Sequence, residues 1–188
     1  MPLDLPASVV ENLAWKEGGG MSEDQPYFRF HPNAYAIKGV FEASDALCDV
    51  CGRPCIWAYA GGIYTAGEKP RSCARCIADG RLGDFLGGHF SLHDIELDDA
   101  DPALADELLC QTPGVACFNP FPWPVLDSRP LAFLGYGEER ALLAEPAVVA
   151  AIEDAFRELG WDYDGPSPYA LIFREVDGSR YQAVIDLD

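Results

Sequence analysis

Two cysteine pairs, Cys48-Asp49-Val50-Cys51 and Cys73-Ala74-Arg75-Cys76, constrain this chain more than any other feature. Each CxxC turn sets two thiolates side by side, and two such turns complete the tetrahedral sulfur shell that Zn²⁺ prefers. Gly52, directly after the first pair, suits a knuckle in which the chain reverses in a conformation glycine tolerates. Residues 57–60 and 63–65, around Gly61-Gly62, read as a β-hairpin. The second pair opens a short helical run over 74–79, stopped by Gly80. Knuckle, hairpin and ligand-bearing helix predict a treble-clef-like unit, with Cys48, Cys51, Cys73 and Cys76 as ligands of a structural Zn²⁺. Free paired thiols, a redox CxxC or an iron–sulfur centre are the alternatives, although a thioredoxin-like motif needs a βαβ setting. Cys55, flanked by Pro54 and Ile56, reads as a packed thiol, and Cys110 and Cys117 as core cysteines.

The compartment and the charge narrow the role of such a unit. Seven cysteines are an odd number, tightly paired, which favours metal and free thiols over a disulfide framework. The first 20 residues lack the basic start and long apolar core of a secretory signal, and no stretch reaches the roughly 20 apolar residues that span a bilayer. A cytoplasmic protein is expected. The formal charge of −18 opposes phosphate-backbone binding and favours a basic partner. Between residues 45 and 84, five basic side chains balance five acidic ones, so the whole excess lies outside the cysteine region. The zinc therefore reads as a replacement for core in a subdomain too poor in apolar bulk to fold alone.

With 49% hydrophobic residues the rest of the chain can bury a core, and it divides into recognisable pieces. Residues 1–26 read as an extension, 27–95 as the zinc-binding region and 96–188 as an acidic α+β region packed against it. Alternating aromatics at 27–30 predict a short strand ended by His31-Pro32. Asp101-Pro102 is a cap and first-turn pair for a helix through Gln111, with Leu104, Leu108 and Leu109 inward. Residues 118–130 set Phe118, Phe121 and Trp123 among four prolines, either as cover for the core or as exposed anchors. A strand follows at 131–134. Then comes an amphipathic helix over 146–159, with Val148, Val149, Ile152, Phe156 and Leu159 inward. A closing hairpin turns at Asp177-Gly178. The class is α+β: a treble-clef-like zinc-binding subdomain embedded in a small mixed α/β body.

No spacing singles out a catalytic group, so no enzyme is expected. A hydrolase with an unrecognised carboxylate site is the weakest of the readings. His89 and His93 have the spacing of one helix face but lack the glutamate of a zinc-peptidase motif, and a surface or hydrogen-bonding role suits them. The acidic run Asp94, Glu96, Asp98, Asp99, Asp101, Asp106 and Glu107 is either a solvated face or a docking surface for a cationic protein.

Phe30-His31-Pro32, Phe41-Glu42 with Ser44-Asp45, and Cys48-Asp49-Val50-Cys51-Gly52 run in an order that resembles the CbrC-like colicin-tolerance family of bacterial proteins. The likeness continues through Ile63-Tyr64, Cys73-Ala74-Arg75-Cys76-Ile77-Ala78-Asp79-Gly80, Thr112-Pro113-Gly114 and Phe133-Leu134-Gly135-Tyr136. Some relatives carry further cysteines after the tryptophan region and near the C-terminus. Residues 124–130 and 173–175 offer none here, so no second metal site is expected. The resemblance implies protection against a secreted nuclease toxin, with no known reaction. Joined to the charge, it leads to an immunity or antitoxin-like protein that binds a basic toxin through the Asp94–Glu107 run, with Trp123 as anchor. The alternative is a zinc-finger regulatory or nucleic-acid-associated module using Arg53, Arg71, Arg75 and Arg81.

Overall fold

The computed structural model describes residues 24–96 and 100–186, so the expected extension lies outside it up to residue 23. The first two strands frame the cysteine knuckle. Strand β1 (Phe41–Leu47) pairs antiparallel with β2 (Pro54–Tyr59), Phe41 opposite Tyr59 and Leu47 opposite Pro54. The hairpin expected around Gly61-Gly62 does not form. One edge of β2 is taken by β1 and the other by the segment before the second cysteine pair, where Tyr59 N donates to Ser72 O at 2.8 Å. Residues 63–65 are left without a strand to pair with; Tyr64 N instead donates to Phe90 O at 2.9 Å.

Helix α1 (Ala74–Ala78) starts at Cys73 and ends before Gly80, whose φ of +73° a side chain would strain. Helix α2 (Arg81–Leu86) follows at once and buries Leu82. The expected strand at 27–30 is a turn instead: His31 N bonds Phe28 O and Ala34 N bonds His31 O, both at 3.1 Å. Its alternating aromatics are nonetheless buried, Phe28 at 3% and Phe30 at 1% exposure. Alternation thus marked burial correctly where it misread the backbone.

Helix α3 (Pro102–Gln111) is capped as its sequence dictates, the Asp101 carboxylate accepting from Ala103 N at 2.9 Å and Leu104 N at 3.3 Å. Asp101→Ala is expected to cost about 1 kcal/mol, read as a lower urea midpoint at unchanged slope. Strands β3 (Val125–Leu126) and β4 (Arg129–Pro130) then form a two-residue hairpin, with Asp127 and Ser128 both at positive φ.

A three-stranded antiparallel sheet, ordered β5-β6-β7, closes the fold: β5 (Ala132–Gly137), β6 (Ser167–Arg174) and β7 (Tyr181–Ile185). Helices α4 (Arg140–Leu143) and α5 (Pro146–Glu158) cover one face. Successive residues of β6 point to opposite faces and so serve two cores. Ala170 and Ile172 pack with Val148 and Ile152 of α5. Leu171 and Phe173 join Phe30, Phe133 and Trp123 in the larger core. That larger core also holds Phe41, Tyr59, Ala74 and Ile77, so the cysteine hairpin and α1 share it with the C-terminal sheet. Leu159, expected inward, is 43% exposed because α5 ends before it. The molecule is a small mixed α/β protein carrying a four-cysteine cluster, the α+β class expected.

Candidate metal centre

The knuckle is built at the tip of the β1–β2 hairpin. Cys48 N donates to Arg53 O and Gly52 N to Cys48 O, each at 2.8 Å, which closes a tight loop with Gly52 at φ +71°. Asp49 then fastens the second cysteine pair to the first. Its N–H donates to Arg71 O at 2.8 Å, and its carboxylate accepts Arg71 N at 2.6 Å. Cys73 sits at the start of α1, and its own N–H points at Cys48 Sγ, 3.4 Å away.

Four sulfurs therefore converge, with the Sγ atoms of Cys48, Cys51, Cys73 and Cys76 all within 4.8 Å of one another. Cys48 Sγ lies 3.8 Å from Cys76 Sγ, and Cys51 Sγ lies 3.9 Å from Cys73 Sγ. Zinc–sulfur bonds of about 2.3 Å make the edges of a regular tetrahedron about 3.8 Å long. Both contacts match that edge and both join the knuckle to the helix. Neither approaches the ~2.05 Å of a disulfide.

The electrostatics fit a cation. Burial pushes Cys51 up, but hydrogen bonds from Arg53 and from the Cys76 and Cys48 sulfurs outweigh it and hold the thiol at about 6. Cys73 and Cys76 are raised, chiefly by burial. Four thiolates in this volume would need a positive charge among them, which a bound metal ion such as Zn²⁺ would supply. Four thiolates would also complete the shell of such an ion, as in structural zinc sites, and would leave no position for a reacting water.

Cys55 packs beside the cluster at 2% exposure, outside the group of four, and burial raises its thiol to about 12. It remains a neutral neighbour. Cys110 and Cys117 are half-buried; the first donates its S–H to Asp106 at 3.7 Å.

The residues expected to meet a partner separate in space. Asp98 and Asp99 lie outside the described residues. Asp94, Glu96, Asp101 and Asp106 are exposed, but Asp101 is engaged as the α3 cap. Glu107 is half-buried and pairs with Arg29, whose Nε lies 3.0 Å from its carboxylate. Trp123 is corrected from anchor to core: it is 3% exposed, its Nε1–H donates to Leu131 O at 2.8 Å, and its ring meets Phe173 edge-on. A tryptophan needs a partner for its indole N–H when buried, and the folded-back β4–β5 junction provides one.

His89 and His93 do not share a helix, since α2 ends at Leu86 and Gly87 turns the chain. His89 is exposed and stacks with Tyr64, whereas His93 is buried with Nε2 3.1 Å from Val115 O. Two residues of structural weight escaped the sequence reading. Asp49 is one, and its place inside the first CxxC was the available signal. His31 is the other: it is fully buried, with Nδ1 3.0 Å from Pro113 O. Among the described residues, no helix is long and apolar enough to cross a membrane.

Comparison with known proteins agrees with the cysteine framework being part of a larger shared unit. A UPF0167 protein of Pseudomonas aeruginosa is 34% identical over 119 residues, spanning 61% of this chain and 65% of its own length, just under two-thirds. UPF0167 proteins of Mycobacterium bovis and Mycobacterium tuberculosis are each 27% identical over 148 residues, covering 78% of this chain and 79% of theirs. No solved structure matches. The profile of the uncharacterised protein family UPF0167 matches residues 25–166, from the first aromatic turn through both cysteine pairs and α5, and the chain therefore belongs to the UPF0167 family.

Proposed function

We propose that this protein is a zinc-stabilised, acidic binding protein that neutralises a basic, nuclease-type bacterial toxin by direct contact. The observation that carries this reading is the separation of charge from metal. The cysteine region is neutral before its metal is counted, and the whole −18 belongs to the rest of the chain. The closed four-sulfur shell supports a structural metal and a binding role rather than a reaction. The resemblance of the Phe30–Tyr136 motifs to CbrC-like colicin-tolerance proteins supports the toxin as the partner. An acidic body speeds encounter with a cationic surface, while specificity comes from a few desolvated anchors.

The arginines of the cysteine region favour this reading over nucleic-acid binding. Arg75 and Arg81 both pair with Asp79, at 3.5 and 3.7 Å. Arg71 Nη1 donates to Leu47 O at 3.2 Å, and Arg53 hydrogen-bonds Cys51. The test is co-purification and calorimetry with nuclease-toxin domains of the colicin type and with any such domain encoded beside this gene. The expected result is a complex whose association rate falls by about tenfold or more as salt rises from low to physiological strength. Absence of a complex with every such domain overturns the reading.

A further inference from the structure

A surface outside the metal centre combines exposed aromatic rings with unbalanced acid. Tyr64 is 68% exposed and stacks with His89, ring centroids 6.4 Å apart and 17° from parallel. Its N–H is tied to Phe90 O, so the ring stands on a fixed backbone. Leu92, 41% exposed, lies over Gly62, two residues before Tyr64, so closely that a Cβ there would run into its Cδ1. Rings held this far out of the core leave apolar area in water that a docked partner would cover.

His89 also lines a cleft of about 660 Å³ between α2 and α3. The α2 side is kept open by Gly83, Gly87 and Gly88, and Gly83 lies so close to Gly88 O that a Cβ would sit 2.7 Å from it. Asp84 and Asp106 stand in this cleft and make no ion pair with any described residue. The shelf thus borders two carboxylates with no ion-pair partner among the described residues, beside Asp79, which Arg75 and Arg81 neutralise.

We infer that Tyr64, His89 and Leu92 form the shelf of a docking site for an arginine-bearing basic segment of a protein partner, with Asp84 and Asp106 as its counter-charges. The inference rests on the toxin-binding reading and names its contact surface. Charge complementarity selects the occupant. A guanidinium stacks flat on Tyr and His rings while its N–H groups reach carboxylates beside them. A second copy of this chain would bring like charge against like, and nucleic acid would bring phosphate against carboxylate. Of the acidic run, this site uses Asp106 alone and recruits Asp84 from α2.

The experiment compares wild type with Tyr64→Ala, with the Asp84→Asn/Asp106→Asn double variant, and with Glu153→Gln, which neutralises an exposed acid on α5. All these positions are exposed, and matching thermal midpoints will verify folding. Titration with a toxin domain that binds wild type is expected to show about tenfold weaker binding for the first two and less than twofold change for Glu153→Gln. Unchanged affinity in Tyr64→Ala and the double variant overturns the docking site and leaves the toxin reading standing. Should no toxin domain bind wild type, that reading fails, and a short arginine-rich peptide followed by amide shifts judges the surface alone. Shifts confined to Gly83, Gly87, Gly88 and His89, and lost in Tyr64→Ala, sustain the site. Shifts absent or spread over every acidic face overturn it. Dimerisation in sedimentation that Tyr64→Ala abolishes also overturns it, assigning the shelf to a second copy.

Discussion

Stripping the metal from Cys48, Cys51, Cys73 and Cys76 is expected to lower the thermal midpoint by on the order of 10 °C or more. Structural zinc contributes folding free energy directly, roughly 10 kcal/mol or more in small finger peptides. Each kcal/mol corresponds to about 2–4 °C in a chain of this size. The loss is not confined to the knuckle. Ala74 and Ile77 of α1 sit in the larger core with Phe41 and Tyr59 of the hairpin that carries the first cysteine pair, so releasing the sulfurs that join α1 to it loosens that packing. Metal analysis of purified protein should give one equivalent of zinc per chain, removable only by strong chelation. Cys76→Ser should abolish stoichiometric binding, whereas Cys55→Ala should retain it, since Cys55 stands outside the four. Hydrogen exchange should quicken first at 48–53 and 73–78. A metal-free protein with an unchanged midpoint would refute the structural role.

Acidification is expected to destabilise the fold through His31, by ~3 kcal/mol between about pH 6.5 and 4. Burial lowers the His31 pKa from 6.5 to about 4, against the opposing hydrogen bond to Pro113 O and with a smaller push from His93. The sign follows from which state takes the proton. The folded ring stays neutral while the unfolded ring protonates first, so the stabilisation is complete above pH 6.5 and disappears as pH falls towards 4. His93 shifts in the same direction, again through burial, and adds to the slope. The reason for neutrality is visible: His31 Nδ1 donates to Pro113 O, its ring meets Phe133 edge-on at 5.1 Å, and Nε2 has no hydrogen-bond partner among the described residues. His31→Asn keeps a donor for Pro113 and removes the titration. Denaturant unfolding across this pH range should give a shallower slope for the variant, a comparison in which acid release of zinc cancels. Equal slopes would show that His31 is not the buried group responsible.

These two expectations draw on features of different legibility. The four-cysteine cluster could be read from spacing, because a CxxC turn places its own two sulfurs wherever the chain goes afterwards. The same locality made α3, α5 and the β6–β7 hairpin readable. Asp101 caps within three residues, Val148 and Ile152 repeat at helical spacing, and Asp177-Gly178 turns the chain on the spot. His31 offered no such sign. Its burial depends on Pro113, 82 positions away, and on Phe133 further on.

Strand pairing failed for the same reason. Residues 57–60 and 63–65 satisfy every local rule for a hairpin, yet both edges of β2 were claimed by β1 and by the approach to Cys73. Trp123 among its prolines was equally compatible with solvent or core until Leu131 O supplied a partner for its indole. Local chemistry along the chain therefore set the pairing of the cluster's cysteines, the helix caps, the turns and the confinement of the −18 charge to the region outside the cysteines. The tertiary structure alone decided which edge each strand paired with, which aromatic rings were buried, and that Tyr64 would stack in solvent on His89, which shares a cleft with Asp84 and Asp106. Caps and turns are completed by neighbours a few bonds away, whereas edges, cores and surface patches depend on competition among segments distant in the chain for the same space and the same hydrogen bonds.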